Sequence, residues 1–435
     1  MKPWRSGALR AGVLCGLALV LAACSSNNNK SGNNAPSNAA NAPAATRAAS
    51  AAATQASAAT AAAPAASAAA STRAATAAGT AAAASGATKT VKLGAAFSLT
   101  GAAAQYGVTQ KNGAQLAVEE INAAGTVPGV KLDLTVEDDA STKDQAITVF
   151  QNFITQDKVA AILGPTLSNS ALASDPVAQQ AKVPVLGVSN TGTGITEIGD
   201  FIFRDSLAEA DVVPQTVAKS QQKLGFKTVA ILYANDDAFS KAGYDAFKGA
   251  LDKQGIKIID TETFSTSDKD FSAQLAKVKD AKPDAIVVSA LLDPAVGIST
   301  QARKLGMMQP IIGGNGFNSP AFIKGAGDAA EGVIVGAAWN SGSSNPLSQK
   351  FIAAYKAKYN SDPDQFAAQA YTGVYIMAQA MKIAGSTERQ AIRDALPKVK
   401  DFDTVLGKFN FTEKRDALHD AVIQVVQGGK FVPLQ

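Results

Sequence analysis

Two adjacent pairs of aspartates, Asp138-Asp139 and Asp236-Asp237, are the residues whose types and spacing come closest to catalytic chemistry. Paired carboxylates serve as acid and base in hydrolysis, or as ligands of hard metal ions. Each pair follows a β-rich segment, however, where consecutive side chains point to opposite sides, and aspartate is a preferred turn residue. We therefore expect both pairs to form turns in contact with solvent rather than a catalytic or metal site.

Other residue types that enzymes need are scarce. The chain has one histidine, His419, and two cysteines, which argues against zinc sites, histidine-based triads and a disulfide framework. His419 lies in a polar stretch, and we expect a surface residue rather than a general base. The segment Gly192–Gly194 lacks the third glycine of a dinucleotide-binding fingerprint, and no phosphate-binding loop or serine elbow occurs. The sequence thus predicts no metal, no cofactor and no enzymatic activity.

Loops rich in Ser, Thr, Asn and Gly are the alternative candidates for a site. They follow β-rich segments, and open parallel sheets bind ligands beyond the carboxyl ends of their strands. Hydroxyls and free backbone N–H groups at the start of a helix suit a carboxylate, although helix capping needs the same residue types. The loops concerned are residues 98–107, 164–170, 189–196, 235–240, 290–294 and 313–317.

The elements that position these loops alternate along residues 89–435. Short β-rich runs such as Val91–Phe97 alternate with amphipathic helical windows such as residues 107–122, a pattern typical of β-α-β units with a mainly parallel sheet. The pattern restarts after about residue 209. Two series of similar length predict two lobes of one α/β architecture.

Length, composition and charge indicate a soluble protein of two globular units with additional non-globular sequence. The chain has 435 residues, of which 17% are charged and 46% are hydrophobic. Residues 1–88 contain six basic residues and no acidic one, so residues 89–435 carry 34 basic residues against 36 acidic ones, a net charge of −2. A nearly neutral folded part argues against nucleic acid or anionic lipid as its partner.

The amino-terminal region has the features of an export signal and a tether. Residues 1–24 combine basic residues, a short apolar run and small residues, as in a secretory signal peptide. Their last four residues, Leu-Ala-Ala-Cys, are similar to a bacterial lipobox in which Cys24 carries the lipid; the alternative is a soluble secreted protein in which Cys24 has no role. Residues 25–88 have no large apolar side chain to bury, and we expect a disordered tether.

Several segments of the chain together indicate a known family, and they are Leu93–Gly101, Gln105–Gly107, Asn112–Asn122, Glu137–Asp139, Gly164–Ser170, Phe203-Arg204, Asp268–Ser272, Pro283-Asp284 and Gly327–Gly332. These segments strongly resemble the branched-chain amino acid type substrate-binding proteins of ABC transporters. The resemblance covers essentially all of residues 89–430.

The resemblance implies a type I periplasmic-binding protein fold, in which two Rossmann-like lobes with parallel-sheet cores are joined by a hinge of three crossings. Lobe 1 would comprise residues 89–209 and 340–415, and lobe 2 would comprise residues 210–339 and 416–435. The resemblance also implies an extracytoplasmic protein, held to the membrane by the lipid on Cys24, that delivers a small molecule to an ABC permease. We expect a monomer, because such a protein presents one closed face to its partner.

The resemblance also assigns roles to residues of lobe 1. Ser168 matches the serine that holds the ligand carboxylate through its hydroxyl and backbone N–H, and Thr191 matches the second carboxylate-binding hydroxyl. Ser189 matches the position whose backbone carbonyl accepts a hydrogen bond from the ligand ammonium. Tyr106 would line the opening.

Lobe 2 departs from the family pattern. Asn315 stands where an amino acid binder usually has an acid opposite the ligand ammonium, and burying an ammonium without such a partner costs several kcal/mol. Glu209, near the lobe junction, would supply the charge, or would be a helix N-terminal acid stabilised by the helix dipole. The other positions suggest a pocket more apolar than a generic amino acid site, and they are Phe239, in place of a tyrosine, Leu291 or Leu292, and Phe317.

The sequence therefore predicts a solute-binding protein of an ABC importer, with branched-chain or other apolar amino acids as the default ligands. Amine-free aromatic or aliphatic carboxylates, or amides, are the alternative ligands. A module that reports its ligand to a membrane kinase or chemoreceptor, without transport, is the alternative function.

Overall fold

A computed structural model describes residues 88–435 of the chain, in which strands and helices alternate. The strands are β1 (Lys89–Phe97), β2 (Val130–Asp138), β3 (Ala161–Leu163), β4 (Val185–Gly187), β5 (Ile202–Arg204), β6 (Thr228–Ala234), β7 (Lys257–Phe264), β8 (Ala285–Ser289), β9 (Ile311–Gly313), β10 (Ile334–Ala337), β11 (Phe402–Thr404), β12 (Gly407–Phe411), β13 (Ala417–Leu418), β14 (Val422–Gln427) and β15 (Lys430–Pro433).

The helices lie between these strands, and a long helical segment separates β10 from β11. The α-helices are α1 (Ala104–Ala124), α2 (Lys143–Asn152), α3 (Ser168–Gln180), α4 (Glu209–Leu224), α5 (Ala238–Lys253), α6 (Ser272–Ala281), α7 (Leu292–Lys304), α8 (Pro320–Ala326), α9 (Pro346–Tyr359), α10 (Gln365–Ala384) and α11 (Arg389–Ala395).

Two sheets share one strand order. The first has five parallel strands in the order β2-β1-β3-β4-β5. The second repeats this order in its parallel strands β7-β6-β8-β9-β10 and adds β14 and β15, both antiparallel, beside β10. This repetition confirms the predicted α/β class with two Rossmann-like halves of one architecture.

The central strands are buried on both faces, which explains their composition. All five residues of β8 are buried, including the run Ile286–Val288, and β1 is buried from Leu93 to Phe97. Strands covered by helices on both sides have no polar face, so their hydrophobic runs are nearly continuous rather than alternating.

The chain passes between the two sheets three times. It leaves the first sheet after β5, returns after β10 to form α9, α10 and α11, and passes again between β13 and β14. The strands β11, β12 and β13 form a separate small antiparallel sheet. Three passages agree with the three-crossing hinge expected for this fold.

A close contact between α1 and α10 brings two distant parts of the chain together. A Cβ atom at Gly113 would lie 2.1 Å from the backbone oxygen of Ala367, so only glycine allows the two helices to approach this closely. The contact places the ring of Tyr106, in the first turn of α1, 4.5 Å from the ring of Phe366, in the first turn of α10.

Candidate functional site

The loops after equivalent strands of the two sheets meet at one cavity. They follow β1, β3 and β4 in the first sheet, and β6, β8 and β9 in the second, where the strand orders reverse and ligands of such sheets bind. The cavity has a volume of ≈ 20 Å³, so its walls lie close together. It is lined by Tyr106, Thr166, Leu167, Ser168, Ser189, Asn190, Thr191, Phe239, Leu291, Asn315, Gly316 and Phe366.

The structure brings together the residues that the sequence singled out. Of the eight predicted binding residues, seven line the cavity, and the eighth, Glu209, contacts one of them, Thr191. Their contacts with a ligand remain predictions.

Helix α3 begins at the cavity without a side-chain cap. Leu167 occupies the capping position and has no side-chain hydrogen bond to the helix. The first backbone N–H groups of a helix have no partner within it, so those of α3 are available to an anion at the cavity wall. The hydroxyl oxygen of Ser168 accepts a hydrogen bond from the backbone N–H of Gly192 at 3.1 Å and keeps its own proton to donate.

Other hydroxyls of this wall hold the loops in place. The hydroxyl of Ser189 donates to the backbone oxygen of Thr166 at 2.7 Å, and the side-chain amide of Asn190 donates to the backbone oxygen of Pro165 at 2.9 Å. Because the Ser189 hydroxyl points to the neighbouring loop, this residue offers the cavity its backbone rather than its side chain.

Glu209 begins α4 and lies beside Thr191. The hydroxyl of Thr191 donates to Oε1 of Glu209 at 3.0 Å, and the backbone N–H of Glu209 donates to the oxygen of Thr191 at 3.2 Å. Burial raises the pKa of Glu209 to about 7, although hydrogen bonds to Thr191 and to the backbone of Asn315 oppose that rise. Glu209 therefore lies at a helix N-terminus and also at the edge of the cavity. This position suits both predicted roles, that of an acid stabilised by the helix dipole and that of a partner for the ligand ammonium.

The opposite wall is apolar and aromatic. Phe239 and Leu291 are 5% and 6% exposed and come from the first turn of α5 and the residue before α7. Tyr106 packs on Phe366, and its hydroxyl donates to the backbone oxygen of Gly316 at 2.7 Å. This last hydrogen bond joins the helix that follows β1 to the loop that follows β9.

Asn315 presents a donor rather than an acceptor to the cavity. Its side-chain oxygen accepts hydrogen bonds from Nε2 of Gln365 at 2.5 Å and from Nδ2 of Asn318 at 3.3 Å. Its own Nδ2 donates to no other described residue. An ammonium group has only protons to offer, so this amide is a poor partner for it.

The aspartate pairs fold into turns, as predicted, but one member of each pair is buried. Asp138 and Asp236 accept backbone hydrogen bonds from neighbouring loops. Asp139 and Asp237 are 0% and 1% exposed, so the expectation that they contact solvent is wrong. Asp139 accepts the hydroxyl proton of Ser98, and Asp237 caps α5, which explains why they are buried.

His419 is half-buried, so its expected place on the surface is only partly right. Its Nδ1 lies 3.1 Å from the backbone oxygen of Asp420, and its ring centroid lies 6.3 Å from that of Phe409. Burial lowers the pKa of His419 below its usual value. Within residues 88–435, no group of three or more His, Cys, Asp or Glu residues could hold a metal ion.

Two residues expected at the pocket do not line it. Phe317 is fully buried in the core, where its ring lies 4.8 Å from that of Phe322 and fills the space beside Gly313. Leu292 is the first residue of α7, and its neighbour Leu291 lines the cavity instead.

Several lining residues were not predicted from the sequence. Phe366 comes from α10, about 200 residues from the Ser168 loop, and the packing of α10 on α1 brings it to the cavity. Its neighbour Gln365 does not line the cavity but donates to Asn315, which does. Thr166 and Asn190 lie within the loops that the sequence indicated, and their position between predicted residues was the available signal.

The export signal of residues 1–24, the lipid on Cys24 and the tether of residues 25–88 concern positions outside the described residues, apart from residue 88. In the part of the chain that the structure describes, the helices are too short or too polar for any of them to span a bilayer.

Two sheets of one topology with a cleft between their carboxyl ends define a class of proteins that enclose small solutes. A model of the periplasmic binding protein family matches residues 90–430, and the chain belongs to that family. The family consists of solute-binding proteins that act outside the cytoplasm, in agreement with the predicted class.

Individual relatives resemble the chain over most of its length. The leucine-, isoleucine-, valine-, threonine- and alanine-binding protein of Pseudomonas aeruginosa is 30% identical over 76% of this chain and 88% of its own. The crystal structure of the branched-chain amino acid transporter substrate-binding protein LivJ from Streptococcus pneumoniae, in complex with isoleucine, is similar with a TM-score of 0.75. It is 34% identical, covering 79% of this chain and 98% of its own.

A further similar structure holds a ligand without an amine. The solute-binding protein of an ABC transporter from Rhodopseudomonas palustris BisB5, in complex with 3,4-dihydroxybenzoic acid, has a TM-score of 0.73 and 27% identity. The match covers 79% of this chain and 96% of that protein. Similar proteins thus bind amino acids or aromatic carboxylates.

Proposed function

We propose that this chain binds an apolar α-amino acid in the cleft between its two sheets and delivers it to a membrane ABC permease. The observation that carries the proposal is the division of the cavity. One wall offers the start of α3 with the hydroxyls of Ser168 and Thr191 beside the carboxyl of Glu209, and the other wall is formed by Phe239, Leu291 and other apolar groups.

The ligand carboxylate is bound at the start of α3. Ser168 donates its hydroxyl proton, and the first backbone N–H groups of the helix donate alongside it. A carboxylate bound in this way gains from charge-assisted hydrogen bonds and from the helix dipole. The uncapped N-terminus supports this assignment, because a capping side chain would occupy the same donors.

The ligand ammonium is bound by Glu209 and by the backbone oxygen of Ser189. Asn315 cannot take the acid's role because its oxygen already accepts two hydrogen bonds. A cation close to the Glu209 carboxyl favours the ionised form and lowers its pKa, which offsets the effect of burial.

The apolar side chain of the ligand contacts Phe239, Leu291 and Phe366. Burial of a leucine-sized side chain contributes about 1.5–3 kcal/mol, whereas a polar side chain at the same place would lose its water without a partner. This wall therefore selects apolar ligands.

Two lobes close over the ligand: residues 89–209 with 340–415 form one, and residues 210–339 with 416–435 form the other. Hydrogen bonds connect them at the cleft, from Tyr106 to Gly316, from Gln365 to Asn315, and between Asn169 and the loop of Asp236 and Ala238. Such contacts stabilise a closed form, and a ligand that binds this form better than the open one shifts the equilibrium towards it.

We also propose that the protein acts as a monomer at the outer face of a membrane. Export by residues 1–24, a lipid on Cys24 and a flexible tether of residues 25–88 would let the two lobes reach a permease without being fixed to it. We infer binding rather than catalysis, because the chain belongs to a family of solute-binding proteins.

Thermal melting of the full-length chain with matched ligands tests the proposal. A ligand at 100 times its Kd adds about 2.7 kcal/mol to the stability of the folded state. Leucine is compared with 4-methylpentanoate, which lacks the amine, and with leucinamide, which lacks the carboxylate. We expect a large shift in Tm with leucine, a smaller one with 4-methylpentanoate and none with leucinamide. A shift with leucinamide equal to that with leucine would contradict the carboxylate site.

An amine-free carboxylate is the second candidate ligand. The donor that Asn315 presents and the pKa of Glu209 near 7 both favour a ligand without positive charge. Under this alternative the melting experiment gives the larger shift with 4-methylpentanoate or 3,4-dihydroxybenzoate, and leucine gives little or none.

A further inference from the structure

A second and larger cavity lies on the far part of α10, away from the cleft. It has a volume of ≈ 570 Å³ and is bounded by α1, α9, α10 and the β11 segment. None of the residues that line it also lines the cleft cavity. Ligand pockets are usually in the range of about 300–1,000 Å³, mostly apolar with a few polar groups, and this cavity has that character.

A carboxylate is held in the wall of this cavity by two phenols. The hydroxyl of Tyr371 donates to Oε2 of Glu120 at 2.5 Å, and the hydroxyl of Tyr375 donates to the same oxygen at 3.0 Å. The two rings lie with their centroids 4.9 Å apart, one turn from each other on α10. Both hydrogen bonds end on Oε2, and no group within residues 88–435 donates to Oε1 of Glu120, which can therefore accept from a ligand.

An unused polar group lines the same cavity. Thr372 is 1% exposed, and its hydroxyl has no hydrogen-bond partner in the described structure. A buried hydroxyl without a partner destabilises the folded state, because it has lost its hydrogen bonds to water. A ligand, or a water molecule held with it, would satisfy this group.

Two lysines and two acids line the cavity, so a preference for a cation depends on Glu120 alone. Lys350 and Lys382 are exposed, and water and salt screen their effect. Glu120 is half-buried and fixed by two hydrogen bonds, so its negative charge acts at closer range. Asp403, the other acid at the rim, pairs with Lys408 at 3.0 Å.

Aromatic rings add to this preference. Tyr371, Tyr375 and Phe402 all line the cavity. The faces of aromatic rings attract ammonium groups, and a carboxylate among several rings is a common way to bind an organic cation. We propose that this cavity is a second ligand site, which binds an organic ammonium ion through Glu120 and packs its apolar part against these three rings.

Titration calorimetry of the full-length chain tests the second site with phenethylammonium as the probe and phenylacetate as its anionic counterpart. We expect saturable binding of phenethylammonium and none of phenylacetate at this site. Glu120→Gln should weaken the probe at least tenfold. Glu119→Gln, which removes the same charge from the neighbouring exposed position, should change its affinity less than twofold.

A second pair of variants separates this site from the cleft. Tyr375→Phe keeps the ring and removes one of the hydroxyls that hold Glu120, so it should weaken the probe severalfold even if Glu120→Gln fails to fold. Thr191→Ala in the cleft should leave phenethylammonium binding unchanged. Absence of saturable binding, binding of phenylacetate that Glu120→Gln removes, or loss of phenethylammonium binding with Thr191→Ala would each overturn the proposal.

Discussion

The hydroxyl of Thr191 donates to Oε1 of Glu209 at 3.0 Å, which couples the two charged ends of the proposed ligand. A threonine hydroxyl has one proton, so it cannot donate to Glu209 and to a ligand carboxylate at the same time. When the Thr191 hydroxyl donates to a ligand carboxylate instead, Glu209 loses a hydrogen bond inside a buried site. A ligand ammonium beside Glu209 replaces it, so a zwitterion satisfies both groups together.

We expect Thr191→Ala to weaken a carboxylate ligand by about 1–3 kcal/mol, because one hydrogen bond to a charged group is lost. Thr193→Ala is the matched control, since Thr193 is exposed two residues further along the same loop and does not line the cavity. Titration calorimetry with the ligand found by thermal melting measures both. Equal affinities of Thr191→Ala and the unmodified protein would show that the carboxylate binds elsewhere.

The affinity for an apolar amino acid should rise by roughly tenfold between pH 6 and pH 8. The pKa of Glu209 is about 7 without ligand, and only its ionised form pairs with an ammonium, so the competent fraction increases over this range. Glu209→Gln should remove this dependence and weaken the amino acid at pH 8. The affinity of an amine-free carboxylate should fall with pH instead. Calorimetry at three pH values distinguishes these outcomes, and an amino acid affinity that does not vary with pH would contradict the role of Glu209.

Glu209 should also make the stability of the folded protein depend on pH, and the sign of this dependence follows from its raised pKa. Burial raises the pKa from 4.5 to about 7, so the folded protein binds a proton that the unfolded chain releases in this window. Its favourable contribution is fully present below about pH 4.5 and is lost as the pH rises through about 7. The free energy of unfolding of Glu209→Gln, relative to that of the unmodified protein, should therefore increase by on the order of 3 kcal/mol between pH 4.5 and pH 8. Urea unfolding at both pH values, without ligand, measures this change.

Tyr106→Phe should destabilise the closed form without disturbing either lobe. The lost hydrogen bond to Gly316 contributes about 1 kcal/mol, which corresponds to roughly a fivefold weaker ligand and a faster dissociation. Tyr359→Phe is the control, because its hydroxyl also donates to a backbone oxygen, that of Asn112, but at 2.9 Å within one lobe as proposed. Stopped-flow dissociation rates compare the two variants, and equal rates would show that the Tyr106 contact does not hold the lobes together.

The long helices were predictable because each has a clear hydrophobic pattern and defined ends. The predicted helical window of residues 107–122 lies within α1, which begins three residues earlier and ends two residues later. The short strands β5, β11 and β13 were not predicted, because two or three residues are too few to show a period.

The part of the candidate site that lies in loops after strands was predicted, and the part that comes from a distant helix was not. Residues such as Ser168 and Thr191 lie in loops after strands, where topology and family resemblance both indicate them. Phe366 lies at the start of α10. The hydrophobic pattern of this helix does not show which distant segment of the chain it packs against. Its place at the cavity depends on the contact of Gly113 with Ala367, which is a tertiary relationship between distant segments.

Gly107→Ala should weaken ligand binding by displacing the helix that carries Tyr106. A Cβ atom at Gly107 would lie 1.9 Å from the backbone oxygen of Ser98, so α1 must move away from the end of β1. A forced shift of this kind costs about 1–3 kcal/mol of stability, and it also moves the Tyr106 hydroxyl from Gly316. Urea unfolding and calorimetry measure the two effects.

The matched control for this helix displacement is Gly249→Ala in α5. No atom lies within 4 Å of a Cβ at Gly249, and alanine favours a helix more than glycine does, so this variant should be more stable by roughly 0.5–1 kcal/mol with unchanged ligand affinity. The opposite signs expected for the same substitution separate the effect of close packing from that of helix propensity. If Gly107→Ala were as stable and bound as tightly as the unmodified protein, the contact between α1 and Ser98 would not position the site.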